Sequence, residues 1–192
     1  HGMCLSNSEK EYKNKGLAVE AFNYADMLNA DIVIFHSGMN GKIEETARQI
    51  KLLQDKRITI ENKPYYGLNN SGICNGSSPE EIKLVIQETG CSFCLDIGHA
   101  ICAANAHKQD PIKYLAKFIK LNPQMFHLTD GDYKGIYDTH KHFGQGNFPL
   151  KEILQLVPKN STITNEAYKD SKDSLEDFCE DVKYLKERVF NV

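Results

Sequence analysis

The sequence predicts a parallel α/β fold of the TIM-type (βα)-barrel class. Short β-branched apolar runs alternate with longer segments of helical period. Every strand-like run carries a histidine or a carboxylate at or beside its C-terminal end, as expected where strand ends converge on one active face. No glycine-rich phosphate fingerprint follows the first complete run, which argues against an open dinucleotide-binding sheet.

Leu17, Ala21, Ala25 and Leu28 make one apolar stripe and predict a first helix. The run Asp31–His36 (DIVIFH) predicts the first complete strand, and Ile43, Ala47 and Ile50 the helix after it. A second strand is expected at Arg57–Asn62. Ser78-Pro79-Glu80-Glu81 then opens a helix with a capping serine, proline at the first position and glutamate at the third. Ser92–Asp96 is the third strand. Asp110-Pro111 starts the next helix, with Ile112, Leu115 and Ile119 on one face. Gln124–Leu128 and Thr162–Glu166 complete the strands. Leu175, Phe178, Val182, Leu185 and Val189 predict one long C-terminal helix. The runs are short and mostly uninterrupted, as strands covered on both faces should be.

With 192 residues, 26% charged and 41% hydrophobic, the chain is neither collagen-like nor disordered. No apolar run approaches the roughly 18 residues of a membrane span. One domain over residues 1–192 should bury about 70% of its unfolded surface without disulfide staples. The net charge of −3 shows no excess of basic residues such as nucleic-acid binders often carry. Six cysteines follow no disulfide framework and are read as reduced thiols in a cytoplasm. Cys91-Ser-Phe-Cys94 runs into a strand rather than opening a helix, so it reads as buried packing and not as a redox pair.

The residues at or just after the strand ends are His36, Glu61, Asp96 (with His99 three residues on), His127 and Glu166. In the loop after the fourth strand, Asp138 and His140 alternate and can point the same way. His1 stands at the chain start. Any one of these has a bland reading: a histidine near a strand end is often only hydrogen-bonded, and Asp96 could simply cap a helix. Those readings do not explain why all five strands end alike. Nine ligand-type groups exceed the needs of one zinc, which takes about three protein ligands and water, and suit two or three ions. Mixed imidazole and carboxylate ligation favours zinc, with manganese possible. His107 and His142 lack such placement and are read as structural. Asn62 and Lys63, at the head of an Asn/Gly/Ser-rich loop, are candidates for substrate contact.

In this order the segments Ile34–Gly38 (IFHSG), Ile58–Asn62 (ITIEN), Cys94–His99 (CLDIGH), Phe126–Asp130 (FHLTD), Asp138–His140 (DTH) with Gly144–Asn147 (GQGN), and Thr164–Ala167 (TNEA) resemble the endonuclease IV group of the xylose-isomerase-like barrels. The resemblance implies a trinuclear zinc cluster held by His1, His36, Glu61, Asp96, His99, His127, Asp138, His140 and Glu166. It also implies that the chain lacks the first two βα units of the barrel. The function so implied is a zinc-dependent phosphodiester hydrolase acting at abasic sites in DNA, with Glu61 and Glu166 as catalytic carboxylates.

The alternative in the same superfamily is a sugar isomerase or epimerase with one divalent ion on Glu61, Asp96, His127 and Glu166. Glu61 and Glu166 would then serve as acid and base on a small sugar substrate. That chemistry leaves His36, Asp138 and His140 without a role. A third reading is a barrel fragment that binds metal or a partner without turnover.

Overall fold

The computed structural model describes residues 2–190; His1, Asn191, Val192 and the side chain of Asn70 lie outside the description. The elements follow in order: α1 (Glu11–Leu28), β1 (Val33–His36), α2 (Ile43–Leu53), β2 (Ile58–Glu61), α3 (Pro79–Thr89), β3 (Ser92–Asp96), α4 (Ile97–Ala106), α5 (Pro111–Ile119), β4 (Met125–Leu128), α6 (Leu150–Leu156), β5 (Thr162–Asn165) and α7 (Glu176–Tyr184). Among the described residues no helix is long and apolar enough to cross a membrane. All six cysteines are free.

The five strands pair in parallel in the order β1-β2-β3-β4-β5. A doubly wound sheet reverses direction at a switch point, and this one never does. One-way winding makes the sheet an arc of a barrel, with β1 and β5 at its two edges. The three inner strands are almost wholly buried, whereas β5 is largely exposed.

Side chains alternate across the sheet. Phe35, Ile58, Ile60, Phe93, Leu95, Phe126 and Leu128 belong to the apolar core under the helices. The opposite parity carries Thr59 and Glu61, Cys94 and Asp96, Met125 and His127. Register sets His36 beside Glu61, Glu61 beside Cys94, and Asp96 beside His127. Strand period alone therefore puts the acids and imidazoles on the inner face at the carboxyl ends.

The expected capping box of α3 is present: the Glu81 N–H donates to Ser78 Oγ at 3.2 Å, and the Ser78 N–H donates to Glu81 Oε2 at 3.2 Å. Asp110 caps α5 through the Lys113 N–H at 2.9 Å, with Pro111 at its first position. Three expectations need correction. First, β3 is followed by two helices, not one. The unforeseen α4 buries eight of its ten residues, so an apolar residue stands on every side and no amphipathic period exists to read. Second, the C-terminal helix stops at Tyr184 and passes into a π-helical segment, Leu185–Phe190, while Leu175 and Val182 are exposed. Third, Leu28 in α1 is exposed, and the buried face runs through Asn14, Ala18 and Ala25.

One side chain organises the long loop between β4 and α6. Asp130 is buried, and its carboxylate accepts four backbone N–H bonds: Gly131 and Phe148 on Oδ1 (2.8 and 3.0 Å), Gly144 and Gly146 on Oδ2 (2.9 and 3.2 Å). A Cβ at Gly146 would lie 2.3 Å from Asp130 Oδ1 and 2.4 Å from the Gly131 nitrogen. Close approach of backbone, rather than unusual φ, explains the second glycine of the GQGN turn.

Candidate metal centre

Glu61, at the end of β2, is 2% exposed and central to the cluster. Its Oε1 faces His36 Nε2 at 3.3 Å and His99 Nδ1 at 3.2 Å; its Oε2 faces His127 Nδ1 at 3.4 Å. His127 Nδ1 lies 3.0 Å from Glu166 Oε1. A single atom each from Glu61, Asp96, His127 and Glu166 lies within 4.8 Å of the others, and so does one each from His99, Asp138 and His140. The second set has Asp138 Oδ2 3.4 Å from His99 Nε2 and 3.2 Å from His140 Nε2. Eight of the nine sequence-derived ligand positions therefore meet on one face; the ninth, His1, lies outside the described residues.

The imidazoles of the second set are oriented by carbonyl groups. His99 Nδ1 donates to the Asn62 carbonyl at 2.9 Å, and His140 Nδ1 donates to the Glu166 carbonyl at 2.8 Å. Each bond fixes the ring so that Nε2 is turned toward Asp138, the usual outer support of a metal-binding histidine. Asp96 serves two purposes. Its Oδ1 caps α4 through the His99 N–H at 2.7 Å, and the carboxylate also belongs to the four-residue set.

Glu61 Oε1, His127 Nδ1 and Asp138 Oδ2 are buried polar atoms without a hydrogen bond. Such atoms are costly unless a partner satisfies them, and these converge on common points. The donor set of imidazole nitrogens and carboxylate oxygens fits a divalent transition ion. In the ion-free protein, protons offset part of the acidic charge. Burial raises the Glu61 carboxyl, but His127, His36 and His99 together hold it well below the ordinary range. Burial pushes Asp96 up to about 7, helped by Asp138 and Glu61 and opposed by His99. Burial works against charging His127, yet Cys94, Glu166 and Glu61 raise it to about 12.

Two residues behave otherwise than the sequence suggests. Asn62, expected as a substrate contact, is fully buried and spends its amide on the backbone. Its Nδ2 donates to the Asp96 carbonyl at 2.9 Å and its Oδ1 accepts from the Asp96 N–H at 2.8 Å, clamping β2 to β3. Asn62→Leu should leave both backbone groups buried without partners, at about 1–3 kcal/mol each. A urea midpoint unchanged from wild type would contradict this role. Cys94, read as plain packing, stands against Glu61 and His127 instead, its thiol pushed up to about 11 by burial. Its inward parity on β3 was the available signal. Lys63 lines a cavity of about 210 Å³ together with Met39, Tyr66, His99, Asp138 and His140.

Fold and site together define a one-way-wound α/β barrel protein with metal-ligand groups gathered at the carboxyl ends of its strands. The chain belongs to the family described as Xylose isomerase-like TIM barrel, which matches residues 1–188. A probable endonuclease 4 of Thermoplasma volcanium is 25% identical over 201 residues, covering 97% of this chain and 70% of that protein. The solved endonuclease IV of Thermus thermophilus superposes with a TM-score of 0.73 at 20% identity, over 97% of this chain and 73% of that one. A D-tagatose 3-epimerase-like protein gives 0.67 at 21% identity, over 97% and 76%. The chain spans between 62% and 70% of the length of the curated relatives it matches. The family and the probable endonuclease 4 relative agree with the resemblance carried by the motifs.

Proposed function

We propose that this chain works as a zinc-dependent phosphodiester hydrolase acting at abasic sites in DNA, in a cytoplasm. The observation that supports this most is the number of ligand groups. Glu61 turns one oxygen to His36 and His99 and the other to His127, and a separate set of His99, Asp138 and His140 stands beside them. One ion has no use for so many.

Glu61, Asp96, His127 and Glu166 would hold one ion, His99, Asp138 and His140 another, and His36 with Glu61 a third; His1, which the resemblance adds to the ligands, lies outside the described residues. Bound ions supply phosphate charge neutralisation and lower the pKa of water from 15.7 to about 7. The protein's own groups do the rest. Glu61, with one oxygen toward His36 and His99 and the other toward His127, would help to hold more than one ion. Glu166, whose side chain is 31% exposed, is the acid of the cluster most open to solvent and would accept a proton from the attacking water. Lys63, on the wall shared with His99 and His140, would bind a phosphate oxygen of the substrate.

A sugar isomerase or epimerase remains the second reading, favoured by the four-residue set around Glu61 and Glu166, which by itself suffices for one ion. The test is an abasic-site duplex incubated with zinc-loaded protein. Strand cleavage that stops on chelation and returns with zinc is the expected result. No cleavage by protein carrying at least two zinc ions, with ketose turnover supported by a single manganese, would overturn the proposal in favour of the second reading.

A further inference from the structure

A fourth group of potential ligands lies outside the central cluster. His142, in the loop after β4, is 8% exposed, and its Nδ1 donates to Asp181 Oδ2 at 2.8 Å. Asp181, on α7, is 2% exposed, and its carboxylate also accepts from the Phe143 N–H at 2.8 Å and from Asn165 Nδ2 at 2.7 Å. Three donors converge on this one carboxylate and fix its position. The ring is thereby held with its Nε2 turned toward Asp170.

That Nε2 is buried and has no hydrogen bond. It faces Asp170 Oδ1 at 3.5 Å, and one atom each of His142, Asp170 and Asp177 lies within 4.8 Å of the other two. The Asp177 carboxylate is held in place by the N–H groups of Asp170 (2.8 Å) and Phe178 (2.9 Å). Lys169 does not fill the gap: its ammonium is turned onto the carbonyls of Ser171 and Ser174 and over the Phe178 ring. The three residues open on a cavity of about 480 Å³ also lined by Gln145, Asp181 and Tyr184. Two carboxylates gathered around a buried ring nitrogen that makes no hydrogen bond are the surroundings of a cation.

We propose that His142, Asp170 and Asp177 form a second divalent-metal site, separate from the central cluster, with Asp181 as the carboxylate that orients its imidazole. One nitrogen and two carboxylate oxygens, completed by water, suit zinc or a related transition ion better than calcium or magnesium. A carboxylate on the far nitrogen of a metal-binding histidine is a recurrent outer support. None of the four residues belongs to the central sets, so this ion takes no part in the proposed hydrolysis. It ties the segment 168–177 and the start of α7 to the loop that carries His140.

The test compares the full chain with Asp170→Asn and Asp177→Asn. The Asp170 side chain is 73% exposed, so its replacement leaves the packing alone. After equilibration with buffered zinc and metal analysis, each variant should carry one zinc fewer per chain than wild type. Zinc should also slow tryptic cleavage at Lys169 and Lys172 about tenfold or more in wild type, and not in either variant. Equal zinc content and equal protection in all three proteins would overturn the proposal. So would loss of the central ions together with the outer one, because the site would then not be separate.

Discussion

Glu61→Gln is expected to abolish turnover while leaving the fold in place. The substitution keeps the volume and one oxygen but removes the charge and one of the two ligand oxygens. Altering groups that merely support a metal ligand costs 10–100-fold in affinity or activity, so loss of a ligand shared between two ion positions should cost at least about 100-fold in zinc affinity. Removal of the associated charge stabilisation should lower cleavage by about 10³-fold or more. Neutralising Glu61 also weakens the hold of His127 and His99 on their protons, which limits the stranded charge. Stability should therefore fall by only about 1 kcal/mol, or roughly 2–4 °C in midpoint. Zinc titration, an abasic-duplex assay and a thermal melt check the three parts. Wild-type turnover in this variant would remove Glu61 from the mechanism under either enzymatic reading.

Asp130→Ala should be among the most destabilising single changes in the chain. It strips the acceptor from the N–H groups of Gly131, Gly144, Gly146 and Phe148 at once. Each unsatisfied buried donor costs about 1–3 kcal/mol; partial rehydration of the loop should hold the total to about 3–5 kcal/mol. Asp130→Asn should be nearly as harmful, since its amide nitrogen would oppose two N–H donors. The expected defect is also local. The loop held by Asp130 carries Asp138 and His140, so the ion of the His99–Asp138–His140 set should be lost before that of Glu61 and His127. Zinc content against urea concentration would reveal the order. Simultaneous loss of both ions would show that Asp130 supports the whole barrel arc rather than its own loop.

Much of the site was legible in the sequence because strand period is local information. Once Ile58–Glu61, Ser92–Asp96 and Met125–Leu128 are strands, parity alone places Glu61, Asp96 and His127 on one face. Capping at Ser78 and Asp110 was equally readable, since a cap and its helix are neighbours in the chain. The helix α4 was not, because burial on all sides erases the pattern by which helices are recognised. Asn62 misled for a related reason: an amide that clamps two strands and one that grips a substrate are the same residue type before packing.

His142 shows the limit most clearly. Asp138, His140 and His142 alternate, and simple alternation would aim all three at one point. His140 takes a left-handed backbone conformation (φ 41°), which breaks the alternation. His140 stays with Asp138, and His142 is paired with Asp181, thirty-nine residues away.

The amino-acid order by itself determined the βα alternation, the one-sided placement of acids and imidazoles at strand ends, and the family. Only the folded chain decided which ring nitrogen faces which oxygen, which amides are spent on backbone, and that His142 gathers with Asp170 and Asp177 apart from the rest. The first kind of fact depends on neighbours a few residues away. The second depends on groups that meet only after the sheet has wound, where differences of about 1 Å separate a ligand from a hydrogen-bond partner.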